Sequence, residues 1–383
     1  MTRQHRSPLS VTRMEDRLTP ASPMITNLPF VASGSGAGSP PVVQLYRADG
    51  SIRAQFYAYD QAFTGGVSVA MADVNNDGVT DLITAAGAGG GPHVKVYDGK
   101  SLEKLFDPTQ PSPQTLVAIE LTVLYSFYAY DAKFGGGVSV AAGDVDGDGY
   151  ADIITGAGPS GGPHVKVFSG KSGDEIRSFF AFDANFRGGV NVAVGELKEA
   201  ISPAGLHAEI LVGSGAGMKA TVKGFDGQTG DQFFTLNPYG DFGGGVYVAA
   251  GDMNGDGFDD VITGAGAGGG PHVTAYDGYT LGHLETVLLP VGGPQPIRSF
   301  YAYDPSFAGG VRVAASDLNG DGKADIITGA GVGGGPHVKA FNGANGNELF
   351  SFFKFGLTPG TREFTAGTTV GAINNSVRPP LNA

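Results

Sequence analysis

Cysteine is absent from all 383 residues, so no disulfide framework, thiolate metal site or cysteine nucleophile can be drawn from this chain. Basic residues are scarce. Lys and Arg number 24 against 37 Asp and Glu, a formal net charge of −13, which is the wrong sign for a nucleic-acid partner. Long apolar runs are missing as well: TLVAIELTVLY at 115–125 is interrupted by Glu120 and falls far short of the roughly 20 residues a membrane helix needs, so no membrane span is expected. The first 24 residues carry Arg3, Arg6, Arg13 and Arg17 but lack the apolar core of a secretory signal. Glycine is abundant, at 65 residues beside 23 prolines, yet no Gly-X-Y period runs through them and 41 % of the chain is hydrophobic. Collagen and simple disorder are thereby excluded.

What the chain does contain is a repeat. FYAYD occurs at 56, 127 and 300, with the variants FFAFD at 179 and FFTLN at 233. Each copy leads into a Gly-Gly-Val run (GGVSVA twice, GGVNVA, GGVYVA, GGVRVA), then an acidic loop, then an apolar run such as DIITGAG, then GGPHV opening a segment such as HVKVYDG. The pattern predicts four short strands per unit. From the first Asp of the acidic loop (Asp73, Asp144, Asp252, Asp317) to the following His (His93, His164, His272, His337) the separation is 20 residues in every case. Successive loops lie 71, 108 and 65 residues apart, so a degenerate copy is expected between Asp144 and Asp252. It is there: Glu196 stands where the loop should start, and Thr221 stands at the His position 25 residues later.

The ends complement each other. FVASGSGAGSPPVVQLY (30–46) aligns without a gap to DLITAAGAGGGPHVKVY (81–97), and nothing before it resembles the Gly-Gly-Val strand. FTAGTTVGAI near the C-terminus supplies that strand. Sharing one unit between both ends closes a ring and removes the open sheet edge. The predicted fold is therefore all-β: a six-bladed β-propeller of four-stranded antiparallel blades, with seven blades as the alternative, and a β-solenoid, which needs shorter periods, well behind. The expected organisation is a tail or leader at 1–24, a propeller at 25–375 and a tail at 376–383. The blades fall near 64–130, 135–183, 187–237, 243–303 and 308–354, with the closing blade at 364–373 plus 26–60.

Four acidic loops carry the chemistry: DVNNDGVTD (73–81), DVDGDGYAD (144–152), DMNGDGFDD (252–260) and DLNGDGKAD (317–325). Oxygen side chains recur at positions 1, 3, 5 and 9, Gly at position 6 permits a sharp turn, and the carbonyl of position 7 adds an oxygen. That spacing wraps one hard cation, and calcium suits it better than magnesium. The side-chain positions hold 13 aspartates, equal in number to the whole net negative charge. About four Ca2+ per chain are expected.

These units resemble the FG-GAP/VCBS repeat family, which includes the blades of integrin α-chain propellers, over roughly residues 30–373. The resemblance implies that the Gly-Gly-Val run is the inner strand and that the acidic loops join strands one and two on one face. It also implies calcium ligands at Asp73, Asn75, Asp77 and Asp81; Asp144, Asp146, Asp148 and Asp152; Asp252, Asn254, Asp256 and Asp260; and Asp317, Asn319, Asp321 and Asp325. Carbonyl ligands carry over to Val79, Tyr150, Phe258 and Lys323. The segment Glu196–Glu209 and the closing INNSV lack the pattern, so blades three and six should be empty. TRMEDRLTPAS near the N-terminus resembles the short Arg-rich leaders of surface and secreted proteins of planctomycete-type bacteria.

The opposite face should collect His93, His164, His272 and His337 with Asp60, Asp131, Asp183 and Asp304. Copies of one position sit on different blades, whereas catalysis needs unlike groups within hydrogen-bond reach, so these read as turn-forming consensus positions. The functional expectation is a non-catalytic, calcium-binding propeller of the bacterial cell exterior. It would form a monomeric ring and serve adhesion, surface structure or ligand binding, with a protein or carbohydrate ligand on the face opposite the calcium loops. The alternative is a lyase-like enzyme acting on polysaccharide through that same face.

Overall fold

The structure is a computed structural model, and it describes residues 31–46, 51–103, 121–198, 207–353 and 367–372. The expected leader, the C-terminal tail, INNSV and the middle of the 101–126 insert lie outside the described residues. So does the stretch 199–206 of the degenerate loop.

Six four-stranded antiparallel sheets are present, five of them built from consecutive strands. The inner strands are Val67–Ala72, Val138–Gly143, Val190–Gly195, Val246–Gly251 and Val311–Ser316 in blades one to five. The sixth blade has Thr368–Ala372 on the inside, hydrogen-bonded to Val31–Ser35 at the other end of the chain with Val31 opposite Ala372. The six-bladed, split-blade architecture expected from the repeat is thus the one observed. Each inner strand packs against the inner strands of the blades before and after it, which closes the ring.

Burial follows radial position. Second strands such as Asp81–Ala86, Asp152–Ala157 and Asp260–Ala265 are buried at every residue, because neighbouring blades cover both sheet faces. Fourth strands such as Glu175–Phe180 alternate at the outer rim. The core consists of clusters lying between blades. Ile83, Val94 and Val96 of blade one meet Val138, Val140 and Ile153 of blade two, and Ile327 and Val338 of blade five meet Val31 and Val370 of the closing blade.

The Gly-Gly-Val entry to each inner strand has a steric cause. A Cβ on Gly136 would sit 2.1 Å from the carbonyl oxygen of Pro159, and the next residue, Gly137, has φ +79°. One glycine permits the close approach, and the other adopts a backbone conformation that residues with a Cβ avoid. The inserts after the third strands each begin with one short helix, Gly99–Glu103 and Gly278–Gly282. Among the described residues no helix is long and apolar enough to cross a membrane.

Candidate metal centre

All four acidic loops connect an inner strand to the second strand of the same blade, on one face of the ring. Their internal hydrogen bonding is nearly identical. The position-1 aspartate accepts from the backbone N–H of the position-6 glycine: Asp73 from Gly78, Asp144 from Gly149, Asp252 from Gly257 and Asp317 from Gly322, at 2.8–2.9 Å. Those glycines have φ between +81° and +88°, which explains the residue type at that position. The position-3 oxygen of Asn75, Asp146, Asn254 or Asn319 accepts from the N–H of position 5. The position-5 carboxylate of Asp77, Asp148, Asp256 or Asp321 accepts from the N–H of Val79, Tyr150, Phe258 or Lys323.

The ninth-position aspartate anchors the loop to the sheet. Asp81, Asp152, Asp260 and Asp325 each accept from the N–H of position 2 and from a glycine N–H just after the third strand. All four are buried. Burial pushes Asp81 up to about 6 and Asp152 and Asp260 to about 7; the backbone donors oppose the shift and neighbouring carboxylates add to it. Asp325 is raised for the same reasons.

These residues fit a hard cation. Carboxylate oxygens of Asp144, Asp146 and Asp152 all lie within 4.8 Å of one another. Oxygens bound about 2.4 Å from a common centre would be separated by no more than about 4.8 Å. In the other three loops Asn supplies the third-position oxygen in the same conformation. Lysines approach two of the clusters: Lys100 Nζ lies 2.9 Å from Asp77 and Lys171 Nζ lies 3.6 Å from Asp148. The loops are also linked around the ring. Ala151 N–H donates to Asp73 O, Ala208 to Asp144 O, Asp259 to Glu196 O and Ala324 to Asp252 O, each from one blade to the preceding one.

That linkage places Glu196 at loop position 1 of blade three and identifies Glu209, which follows Ala208, as its ninth-position acid. Glu209 Oε2 accepts from Leu197 N–H at 2.7 Å, as Asp81 does from Val74. Burial raises its carboxyl to about 8, with the Leu197 bond and Lys198 opposing. Lys198 Nζ lies 3.9 Å from Asp226 and over the Phe233 ring. Blade three thus carries in its loop a lysine whose charge acts on its buried acid. The spacing alone concealed this, because the connection from Glu196 to Glu209 is five residues longer than in its siblings.

On the other face, each repeat histidine is held by its own blade. His93, His164, His272 and His337 pair through Nε2 with Ser126, Ser178, Ser299 and Ser351 at 2.7–2.9 Å. Burial holds all four imidazoles below the usual histidine value. Asp60, Asp131, Asp183 and Asp304 cap the turn two residues on. The sequence reading did not identify the tyrosine of FYAYD as a tether: Tyr59, Tyr130 and Tyr303 donate to the backbone carbonyls of His93, His164 and His337 in the next blade.

The FG-GAP repeat matches the chain at residues 65–101, 136–172 and 309–347, which are the inner strand, acidic loop, and second and third strands of blades one, two and five. No curated protein matches the chain. Among solved structures, Sqt1 of Saccharomyces cerevisiae is similar at 11 % identity with a TM-score of 0.41, over 87 % of this chain and 78 % of that one.

Proposed function

This chain is a β-propeller bearing FG-GAP repeats, and from that premise we propose that it is a calcium-stabilised, non-catalytic binding module of the cell exterior. The observation that carries the reading is the fourfold recurrence of one loop conformation, whose buried ninth-position acid lies among carboxylates with no full complement of basic partners. A cation held there would neutralise the cluster. The chain's own part is to pre-form the loop: backbone N–H groups aim the carboxylates, and the ninth aspartate ties the loop to the sheet. Extracellular calcium is abundant enough to fill weak sites, and in millimolar calcium a site with a dissociation constant near 10⁻⁴ M contributes about 1.4 kcal/mol. Such sites would serve a cysteine-free chain in place of disulfides. The rim histidines each pair with a serine of their own blade in the same way in all four copies, a repeated structural contact that favours a binding role over a catalytic one.

Titration calorimetry on chelator-stripped protein tests this directly. About four calcium ions should bind, with a rise in melting temperature, and Asp144→Asn should remove one ion from the count. The buried aspartates must lose their protons to bind metal, so affinity should strengthen from pH 5 to pH 8. Absence of binding and of any thermal shift would reduce the loops to turns and end the calcium reading.

A further inference from the structure

The inner strands present one side chain per blade toward the central axis, always the second residue of the strand: Ser68, Ser139, Asn191, Tyr247, Arg312 and Thr369. All six line a cavity of about 850 Å³ that also reaches the glycine-rich turns between second and third strands, on the face away from the acidic loops. Within a repeat these six positions are equivalent, so packing alone would accept one residue type in all of them. Instead the chemistry differs from blade to blade, and Arg312 is the single charge in the ring. Arg187 lies at the mouth, and among the described residues no acidic one lines the cavity, in a chain whose net charge is −13.

Arg312 is poorly compensated where it stands. Its guanidinium lies over the Tyr247 ring at 5.2 Å, its Nη1 is buried without a hydrogen-bond partner, and it makes no ion pair among the described residues. Arg187 donates to the carbonyl of Ala184 and likewise has no acidic partner there. A half-buried cation without a counter-charge is unfavourable, and a bound anion relieves it. Three neighbouring polar groups already donate across blade boundaries: Ser139 Oγ to Val190 O, one Asn191 Nδ2 hydrogen to Val246 O and Thr369 Oγ1 to Val67 O. Their oxygens remain as acceptors, the complement of hydroxyl donors on a ligand.

We propose that this axial cavity is a binding site for a hydroxylated carboxylate, a uronic acid residue in chemical class, with Arg312 taking the carboxylate and Ser139, Asn191 and Thr369 accepting from ligand hydroxyls. A volume of about 850 Å³ suits a ligand of one to a few sugar rings. The site deepens the reading of the propeller as a binding module by naming its ligand class, but it does not depend on the metal loops.

The test is calorimetric titration of the calcium-supplemented full chain with sodium glucuronate, glucose, sodium acetate and a uronate trisaccharide, repeated after chelation. Saturable glucuronate binding is expected, at least about tenfold tighter than for glucose or acetate. Trisaccharide bound more tightly than the monosaccharide would identify a polysaccharide chain end as the source, and the reverse a free acid. Arg312→Met should weaken binding at least about tenfold without lowering the melting temperature of the unliganded protein, since it removes an uncompensated charge. Arg187→Gln, at the exposed mouth, should weaken it by a smaller factor. No saturable glucuronate binding up to about 10 mM, acetate bound as tightly as glucuronate, or binding unchanged in Arg312→Met overturns the proposal. Uronate binding that persists in a protein that takes up no calcium would overturn the metal reading alone.

Discussion

Glu209 shows how one residue can set a pH dependence. Its carboxyl is raised from the ordinary glutamate value to about 8 by burial, while Leu197 N–H and Lys198 pull in the other direction. Between about pH 4.5 and 8 the folded protein holds a proton that the unfolded chain releases, so this group's contribution to stability falls as pH rises through that window. Glu209→Gln cannot ionise and can still accept from Leu197. The melting temperature of the variant, followed from pH 5 to 9 in excess calcium, should be flatter than that of the parent and should exceed it above pH 8. Parallel curves would show that the residue titrates in the ordinary range. Phe182 makes a related point: it replaces the tethering tyrosine at the entrance to blade three, and the residue it would face there is Thr221, not His. That blade has lost the hydroxyl, the histidine and the regular acidic loop together.

The repeating element is most sensitive where backbone meets backbone. In GGGV at 135–138, a Cβ on Gly135 would meet nothing within 4 Å, whereas one on Gly136 would lie 2.1 Å from Pro159 O. Gly136→Ala should therefore destabilise by at least about 1–3 kcal/mol, because a main-chain carbonyl held in a sheet cannot step aside. Gly135→Ala, one residue away, should be nearly neutral; denaturant midpoints for the two variants compare them directly, and equal midpoints would refute the steric account. At this scale the sequence was highly legible. Periodicity and the constant 20-residue interval from Asp73 to His93 and its copies placed strands, loops and turn glycines correctly. What it could not show were contacts between copies: the Tyr59 hydroxyl on the next blade's His93 carbonyl, the Ala151-to-Asp73 bond that links successive loops, and Glu209 as the ninth-position acid behind an enlarged connection. Each depends on how blades stack, and stacking leaves no trace in the spacing within a single unit.

At the scale of the whole molecule, the ring exists because residues far apart in sequence share a sheet. Thr368–Ala372 is hydrogen-bonded along Val31–Ser35, and its side chains bridge to both neighbours: Thr369 Oγ1 donates to Val67 O of blade one, and Val370 packs with Ile327 of blade five. The alignment of the two chain ends made this closure visible in the sequence. The axial ring of Ser68, Ser139, Asn191, Tyr247, Arg312 and Thr369 was not visible there, because its members stand out only when six equivalent positions face a common centre. Closure also concentrates risk in one short strand. Without it, Val31–Ser35 becomes an unpaired edge and the inner strands of blades one and five lose a shared neighbour, so hydrophobic surface opens on two blade interfaces at once. A chain ending at residue 363 should melt well below the full protein and with a broader transition, and it should self-associate through the exposed edge. Calcium should recover little of the loss, since the acidic loops of blades one, two, four and five brace loop to loop and cannot replace a missing strand. A truncated chain that melted sharply at the parental temperature would mean that five complete blades hold the ring unaided, and that the strand shared between the two ends is an ornament on an already stable arc.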